Sequence, residues 1–138
     1  MKFLFCVIAT GWLAACGTPS SDEEQVRALI TSVEAAAEAR DTSDVLAFVA
    51  PDYSDKQGFD KSQLQNFLRG YFLSHPKVEL LVNINSLEIP VDGLARARVG
   101  VGALHLDQPG SADAITLDVE LRKLAGDWRV VRADRVAR

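Results

Sequence analysis

Four side chains in this sequence are suited to exchanging protons or holding the polar group of a ligand: Tyr53, Tyr71, His75 and His105. His105 shares the alternation of Ala103 in a predicted strand, and His75 ends a predicted helix. One interpretation is that the four line the mouth of a small ligand pocket, to which they contribute polar groups. The alternative is structural: His75 caps its helix, His105 faces solvent, and both tyrosines belong to the core with hydroxyl groups in water.

Other common chemistries find no support in the sequence. The two histidines lie thirty residues apart, which is not a metal-ligand spacing. The chain contains no glycine-rich phosphate loop, no nucleophile elbow and no dinucleotide fingerprint. Its formal net charge of −4 argues against wholesale nucleic-acid binding. We therefore expect no metal, no cofactor and no nucleic-acid partner, and we assign no catalytic residue.

The thiol of Cys16 is a further reactive group, and the residues before it form a recognisable pattern. Lys2 supplies a positive charge, residues 3–13 form an uncharged apolar run, and Leu13-Ala14-Ala15 lead directly to the cysteine. As a helix the run spans roughly 16 Å, about half of the hydrocarbon thickness of a bilayer, so it suits a secretory signal better than a transmembrane helix. The segment resembles the lipobox of bacterial lipoproteins, in which signal peptidase II cuts before the cysteine.

This resemblance implies a signal peptide over residues 1–15, a lipidated tether over 16–21 and one folded domain over 22–138. Cys16 would carry two or three acyl chains, which hold a protein on a membrane essentially permanently. The domain would face the periplasm of a bacterial cell envelope, at the outer rather than the inner membrane, because Gly17 and not aspartate follows the cysteine. Cys6 would leave with the signal peptide, so we expect no disulfide. The alternative is an ordinary secretory signal that contains a chance cysteine.

Apolar residues recur at helical spacing in three segments of the N-terminal half. The first predicted helix runs from Ser21 to about Arg40, and the second is short and stops before Pro51. The third opens at Asp60 and closes at His75. Both long helices begin with the pattern of a capping box, a serine or aspartate followed three residues later by glutamate or glutamine. The third helix is expected to bury Leu64, Phe67, Leu68, Tyr71 and Phe72.

Beyond residue 77 the apolar pattern alternates with a period of two, which predicts strands. Turn residues divide this half into four of them: from residue 78 to the turn at Pro90, and over residues 94–106, 114–124 and 128–135. Pairing Ala97 with Leu121 places the apolar residues of the second and third strands on one face, and it sets Arg98 opposite Glu120. The predicted fold class is α+β, with three N-terminal helices packed on a curved four-stranded antiparallel sheet.

Over about residues 22–136 this arrangement resembles the NTF2-like (nuclear transport factor 2-like, cystatin-like or SnoaL-like) superfamily. The resemblance rests on the order of the elements, on Val-Leu-Ala-Phe-Val-Ala-Pro-Asp-Tyr at residues 45–53, and on the closing Gly-Asp-Trp-Arg-Val-Val at residues 126–131. It implies a cone enclosed between the sheet and the helices. The superfamily includes isomerases, dehydratases, polyketide cyclases, immunity proteins and binding or assembly domains, so the fold alone selects no function.

Enzymes of this superfamily place carboxylates, tyrosine or histidine deep in the cone. In this chain the inward positions in the middle of the second and third strands are alanine, valine, leucine and isoleucine. General acid–base catalysis needs a titratable group within hydrogen-bond reach of the substrate. We therefore predict a non-enzymatic envelope lipoprotein whose domain binds a protein partner, itself included, or a small apolar ligand. The alternative is a small isomerase, dehydratase or hydrolase that uses the cone pocket.

Domains of this fold often dimerise through the open face of the sheet. In this chain the residues expected on that face carry both signs of charge, and a two-fold interface needs a self-complementary surface. We predict a dimer face formed by Arg96, Arg98, Asp118, Glu120 and Arg122.

Overall fold

The structure is a computed structural model that describes residues 20–107, 110 and 112–136 of the chain. Three helices come first: α1 (Asp22–Glu38), α2 (Thr42–Ala47) and α3 (Lys61–Ser74). Four strands follow: β1 (Val78–Val91), β2 (Leu94–His105), β3 (Ala112–Leu124) and β4 (Asp127–Arg135). The strands form one antiparallel sheet in the order β1-β2-β3-β4. The predicted α+β class, with three helices and a four-stranded antiparallel sheet, is confirmed.

The predicted signal peptide and Cys16 lie outside the described residues. Within the part of the chain that is described, no helix has the length and apolar character needed to cross a membrane.

The helices begin at the residues that the capping patterns indicated. Ser21 accepts a hydrogen bond from the backbone N–H of Glu24 at 3.2 Å. Asp60 and Gln63 form both halves of a capping box, with bonds of 2.8 and 2.9 Å. Helix α1 ends at Glu38, slightly before the predicted end, because Arg40 adopts a left-handed backbone conformation with φ of 55°. Local sequence signals therefore define these helix ends well.

Apolar side chains of α1 and of one face of the sheet form the main core. Val26 and Leu29 of α1 contact Ala95, Leu121 and Trp128 of the sheet. We call this side of the sheet the inner face and the opposite side the outer face. Two smaller clusters join the helices to one another and to the sheet, one around Ala36, Val45 and Phe72 and the other around Leu46, Val49 and Tyr53.

Helix α3 buries less than its apolar pattern predicted. Phe72 is its one buried residue, and the prediction that Phe67 is buried was wrong, since it remains 52% exposed. The ring of Phe67 instead contacts the rings of Phe59 and Tyr71, with centroids 5.9 and 6.2 Å apart. An aromatic row on α3 is thus shielded partly by neighbouring rings rather than by the core.

The register between β2 and β3 differs from the predicted one by two residues. Ala97 lies opposite Val119 and not Leu121, and Arg98 lies opposite Asp118 and not Glu120. A shift by two residues keeps every side chain on its face, so the alternation of apolar residues cannot distinguish the two registers. The predicted separation of faces is retained, because Ala95, Ala97, Val99 and Ala103 of β2 are all buried on the inner face.

Both edges of the sheet are covered in part by the N-terminal half. The segment after α2 lies along β4, where the Ala50 N–H donates to the Val130 carbonyl at 2.9 Å. At the other edge, the side chain of Glu38 accepts from the N–H of Leu80 in β1 at 3.2 Å. Such contacts reduce the tendency of exposed strand edges to pair with other chains. None of the three described helices, in contrast, packs on the outer face.

Candidate functional site

Three of the four predicted pocket residues come together at one end of the sheet. Tyr71 lies in the last turn of α3 and His75 caps the end of that helix, and their rings stack with centroids 4.2 Å apart. His105 is the last residue of β2, and its ring lies 4.3 Å from that of His75. Together with Asp113, which contacts His105, these residues form a group that we call the histidine cluster.

Tyr53 lies apart from this cluster. It is buried with Leu46 and Val49, and its hydroxyl donates to Oδ2 of Asp55 at 2.8 Å. Burial, reinforced by this hydrogen bond and by the charge of Asp55, raises the pKa of the Tyr53 phenol far above its ordinary value. The hydroxyl of Tyr53 therefore has a structural partner of its own in a different part of the core.

His105 is buried on the inner face, at 4% exposure, and does not face solvent. Its Nε2 lies 2.8 Å from Oδ2 of Asp113, whose side chain is mostly exposed. Because a carboxylate oxygen accepts hydrogen bonds, the neutral form of this imidazole has its proton on Nε2 and its lone pair on Nδ1. Within the described residues no group bonds to this buried Nδ1. The cluster therefore holds an acceptor that is shielded from water and lacks a protein partner.

The other members of the cluster add polar groups beside this acceptor. Nδ1 of His75 lies 2.9 Å from the carbonyl oxygen of Tyr71, to which it donates, so Nε2 of His75 is a second acceptor. Burial, and to a lesser extent the charge of Asp113, raises the pKa of the Tyr71 phenol, which stays a hydrogen-bond donor. Two ring acceptors and one hydroxyl donor suit a small molecule that carries hydroxyl groups. A carboxylate that fixes the tautomer of an imidazole is also the arrangement that orients a general base.

Asp113 is a member of the cluster that sequence analysis missed. The third strand was predicted to begin at Ala114, whereas β3 begins at Ala112 and sets Asp113 opposite Ala103. Asp113 therefore has the same inward orientation as Ile115. If the predicted third strand had been extended by two residues toward its N-terminus, the alternation of inward and outward residues would have placed the Asp113 carboxylate on the inner face.

The described part of the chain contains no group of three or more histidine, cysteine, aspartate or glutamate side chains arranged to hold a metal ion.

The five residues of the predicted dimer face lie on the outer face of β2 and β3. The guanidinium of Arg98 pairs with Asp118 at 2.9 Å, and that of Arg122 pairs with Glu120 at 3.3 Å. The hydrogen bond from Arg98 lowers the pKa of the Asp118 carboxyl. Both partners in the Arg98–Asp118 pair are about half exposed, so the pair adds little to the stability of a single chain.

A shallow cleft of about 400 Å³ adjoins these charges and was not predicted. Asp134 of β4 is buried there, and its carboxylate accepts from the backbone N–H of Lys56 at 2.7 Å and from the side chain of Arg132. Burial pushes the pKa of Asp134 upward, but these two hydrogen bonds outweigh it and the pKa is lowered. Lys56 and Asp134 are 78 residues apart, a separation that sequence patterns do not connect.

Exposed leucines dominate the other end of the outer face, where Glu79 is the charged neighbour paired with Leu104. Leu81 and Leu104 are 68% and 51% exposed, and Leu106, just beyond β2, is 59% exposed. Gly102 and Ala114 lie on the same row of paired residues as Leu81. A Cβ atom at Gly102 would make only ordinary contacts, 3.8 Å from Leu81, so no residue that the structure describes demands a glycine there. We call this region, Leu81, Leu104 and Leu106 with the small residues between them, the leucine end.

Comparison with known proteins finds similarity at the level of structure only. No family model matches the chain, and no curated protein matches its sequence. A proposed scytalone dehydratase from Novosphingobium aromaticivorans is similar with a TM-score of 0.73 at 14% identity, over 82% of this chain and 81% of that one.

Two further solved structures are similar over nearly the whole domain. An NTF2-like protein of unknown function from Pseudomonas putida has a TM-score of 0.70 at 19% identity, over 88% of this chain and 90% of that one. A proposed calcium/calmodulin-dependent protein kinase type II association domain from Thiobacillus denitrificans has a TM-score of 0.66 at 20% identity, over 80% of this chain and 94% of that one. Identities this low establish the fold and not the activity: the described domain has the NTF2-like, cystatin-like fold.

Proposed function

We propose that this chain is a membrane-anchored envelope lipoprotein whose domain is a non-enzymatic binding and assembly module. Its partner is a protein, itself included, that docks on the outer face of the sheet. The observation that carries this proposal is the leucine end, where three leucines are each more than half exposed on one side of the sheet. Scattered exposed leucines are common on soluble proteins, but contiguous ones bordered by charged residues mark interaction surfaces.

The surroundings of these leucines also favour docking. Gly102 and Ala114 have little or no side chain, so the sheet surface beside the leucines is low and a partner can approach the backbone closely. Uncharged residues Asn83, Gly100 and Thr116 and then paired charges follow along the outer face and provide a polar border. The similar protein from Thiobacillus denitrificans is itself a proposed association domain, which supports assembly as a use of this fold.

The proposed anchor is a set of acyl chains on Cys16, with the domain facing the periplasm at the outer membrane. The support is the pattern of residues 1–17. An anchor confines the domain to a surface, and confinement raises the effective concentration of partners that lie on the same membrane. Anchoring and docking therefore reinforce one another in this proposal.

Replacing Leu104 with aspartate should break the assembly formed by the outer face. Leu104 is exposed, so the change should leave the fold intact, but it places a charge inside a contact that excludes water. We expect the dissociation constant of the complex to rise at least about tenfold, or ~1.4 kcal/mol. The measurement is the size of the native complex in mild-detergent extracts of membranes that contain the full-length chain.

Leu73→Asp is the matched control, because Leu73 is 84% exposed on α3 and not on the outer face. We expect this variant to give a complex of the wild-type size. Docking through the outer face would be contradicted if the Leu104→Asp complex had the same size as the Leu73→Asp complex.

A second candidate function follows from the buried Nδ1 of His105 that lacks a partner. We propose as the alternative that a small apolar molecule with a hydroxyl group binds at the histidine cluster. The domain would then store or carry this molecule, or act on it as an isomerase, dehydratase or hydrolase. In the enzymatic case His105 would serve as the base, held in one tautomer by Asp113. The similar protein from Novosphingobium aromaticivorans, a proposed scytalone dehydratase, supports this alternative.

Replacing His105 with phenylalanine tests the alternative, because the change keeps an aromatic ring and removes both nitrogens. Stability should change little, since an apolar ring replaces an imidazole that already has an unpaired buried atom. We expect native mass spectrometry to show a small molecule bound to the wild-type chain and none bound to the variant. The control, Tyr53→Phe, should keep the ligand. A wild-type chain without ligand, or a His105→Phe chain that retains it, would argue against this site.

A further inference from the structure

We propose that the domain stands end-on on the bilayer that holds its acyl chains, with one end of the sheet resting on zwitterionic phospholipid headgroups. This end, which we call the hairpin end, consists of the turns at residues 91–94 and 124–127 and the first turn of α1. The inference rests on the proposed anchor at Cys16 and adds the surface through which the domain meets the membrane. It also places the leucine end and the histidine cluster far from the bilayer.

The start of α1 lies beside both of these turns. The amine of Lys123 pairs with Asp22 at 3.1 Å, and the backbone N–H of Lys123 donates to the carbonyl oxygen of Gly93 at 2.9 Å. The last residue of α1, Glu38, instead contacts Leu80 near the leucine end. The helix therefore runs from the hairpin end toward the leucine end, and the chain enters the domain at the hairpin end.

The linker between the proposed anchor and the domain is short. The side chain of Gln25 donates to the carbonyl oxygen of Ser20 at 2.9 Å, so the chain is held against α1 from Ser20 onward. Four residue steps separate Cys16 from Ser20, and a fully extended chain covers at most about 14 Å in that length. Strand β2 alone, Leu94–His105, extends about 36 Å. The anchor therefore brings the hairpin end to the bilayer.

Apolar side chains at the hairpin end are available to lipid. Val91 and Leu124, one at each turn, are 60% and 39% exposed. Burial in the interfacial region of a bilayer removes such surface from water, which lowers the free energy in proportion to the apolar area. The acyl chains hold the domain at the bilayer, so this additional contact has only to fix its orientation.

The charges of the hairpin end suit a zwitterionic headgroup. Lys123 pairs with Asp22, Arg129 pairs with Asp127 at 3.8 Å, and Asp92 is exposed in the first turn. A zwitterionic headgroup carries a phosphate, which accepts hydrogen bonds from basic side chains, and an ammonium group, which attracts carboxylates. Strong attraction to anionic lipids instead needs a cluster of basic residues without acidic neighbours. The mixture of signs therefore favours zwitterionic phospholipid.

The sides of the domain are less suited to contact with a bilayer. A bilayer laid along the outer face would cover the Arg98–Asp118 pair and the cleft beside Asp134, whose charges would lose water without gaining new partners. Laid along α1, it would cover the Arg27–Glu23 pair, in which both side chains are about half exposed. End-on contact keeps these charges hydrated and leaves the leucine end free for the proposed docking.

Fluorophores at three positions test this orientation. Single cysteines are introduced by Asp92→Cys at the hairpin end, by Glu79→Cys at the far end of the outer face, and by Leu73→Cys at the far end of the helical side. All three residues are exposed. Each full-length chain is extracted from membranes, labelled with a thiol-reactive fluorophore, and reconstituted into phosphatidylcholine vesicles that contain lipids with a nitroxide quencher on the headgroup. Use of one fluorophore throughout matches its own affinity for lipid between positions.

We expect the quencher to remove most of the fluorescence of the Asp92→Cys chain and to leave that of the Glu79→Cys and Leu73→Cys chains unchanged. Additional quenching of the Glu79→Cys chain would show that the outer face lies on the bilayer. Additional quenching of the Leu73→Cys chain would show that the helical side does. Either result would overturn the end-on orientation, and so would the absence of quenching at all three positions.

A second set of variants tests the apolar contact itself. Adding Val91→Asp and Leu124→Asp to the Asp92→Cys chain should remove most of its quenching, because both apolar contacts with lipid are replaced by charges. Adding Leu73→Asp, the matched control, should leave the quenching unchanged. Equal quenching in both of these chains would overturn the contact through the hairpin end.

The wild-type chain, treated in the same way, separates this inference from the proposed anchor. An acylated Cys16 has no free thiol and Cys6 is removed with the signal peptide, so the wild type should take up no fluorophore. If the wild type is labelled, the anchor fails and the end-on orientation fails with it. If the wild type is not labelled but quenching follows another pattern, the orientation alone fails. The docking function is judged separately, by the size of the Leu104→Asp complex.

Discussion

Replacing Cys16 with serine should abolish both the processing and the lipidation of this protein. In the proposed pathway the thiol accepts the diacylglyceryl group, and cleavage before residue 16 follows. Serine lacks the thiol, so the variant should keep residues 1–15 and carry no acyl chain. The wild-type chain should begin at Cys16 and carry the mass of two or three acyl chains, each of whose buried methylenes contributes about 0.8 kcal/mol to membrane binding. Intact-protein mass spectrometry of membrane extracts measures both changes at once.

Cys6→Ser is the matched control for this experiment. Cys6 is the one other cysteine of the chain and lies in the segment proposed to be removed. Its replacement should therefore leave the mature protein unchanged in mass. A wild-type chain that retains Met1 and an unmodified Cys16 would refute the lipoprotein proposal, and so would an acylated Cys16→Ser variant.

Local chemistry accounts for the parts of the fold that could be predicted. The capping residues Ser21 and Asp60 give the helix starts, because each satisfies backbone N–H groups within its own first turn. The turn at Ala125-Gly126 is a second local feature, indicated in the sequence by its glycine. Both residues have positive φ, at 51° and 86°, as a two-residue hairpin turn requires. These interactions span a few residues, so the sequence contains all the information that they require.

The register between β2 and β3 depends on a longer-range property. Alternation shows which residues share a face, but registers that differ by two residues preserve it equally. The observed pairing of Arg98 with Asp118 therefore could not be distinguished from pairing with Glu120. The difference matters for the outer face, because the observed register sets Arg96 opposite Glu120 and Arg98 opposite Asp118, so that opposite charges are paired at both positions.

The candidate sites show the same division between local and long-range information. The inward orientation of His105 followed from its parity with Ala103, but its burial depends on α3, which brings His75 against it. Asp134 is buried because the loop at Lys56 crosses to β4 and donates a hydrogen bond. The alternation marks Leu81 and Leu104 as outward residues. It does not show that the described helices leave them exposed, and only the assembled fold provides that information.

Replacing Leu121 with alanine should cause a large loss of stability. Leu121 is fully buried on the inner face, where it contacts Val26, Ala95 and Trp128. Truncation removes buried methyl groups and leaves a cavity between α1 and the sheet. This cavity should lower the free energy of unfolding by about 2–5 kcal/mol. Urea denaturation measures this loss, with Leu124→Ala of the same strand, 39% exposed, expected to stay within about 0.5 kcal/mol of the wild type. A loss below about 1 kcal/mol for Leu121→Ala would show that α1 does not pack on β3, and the separation of the inner face from the outer face would fail with it.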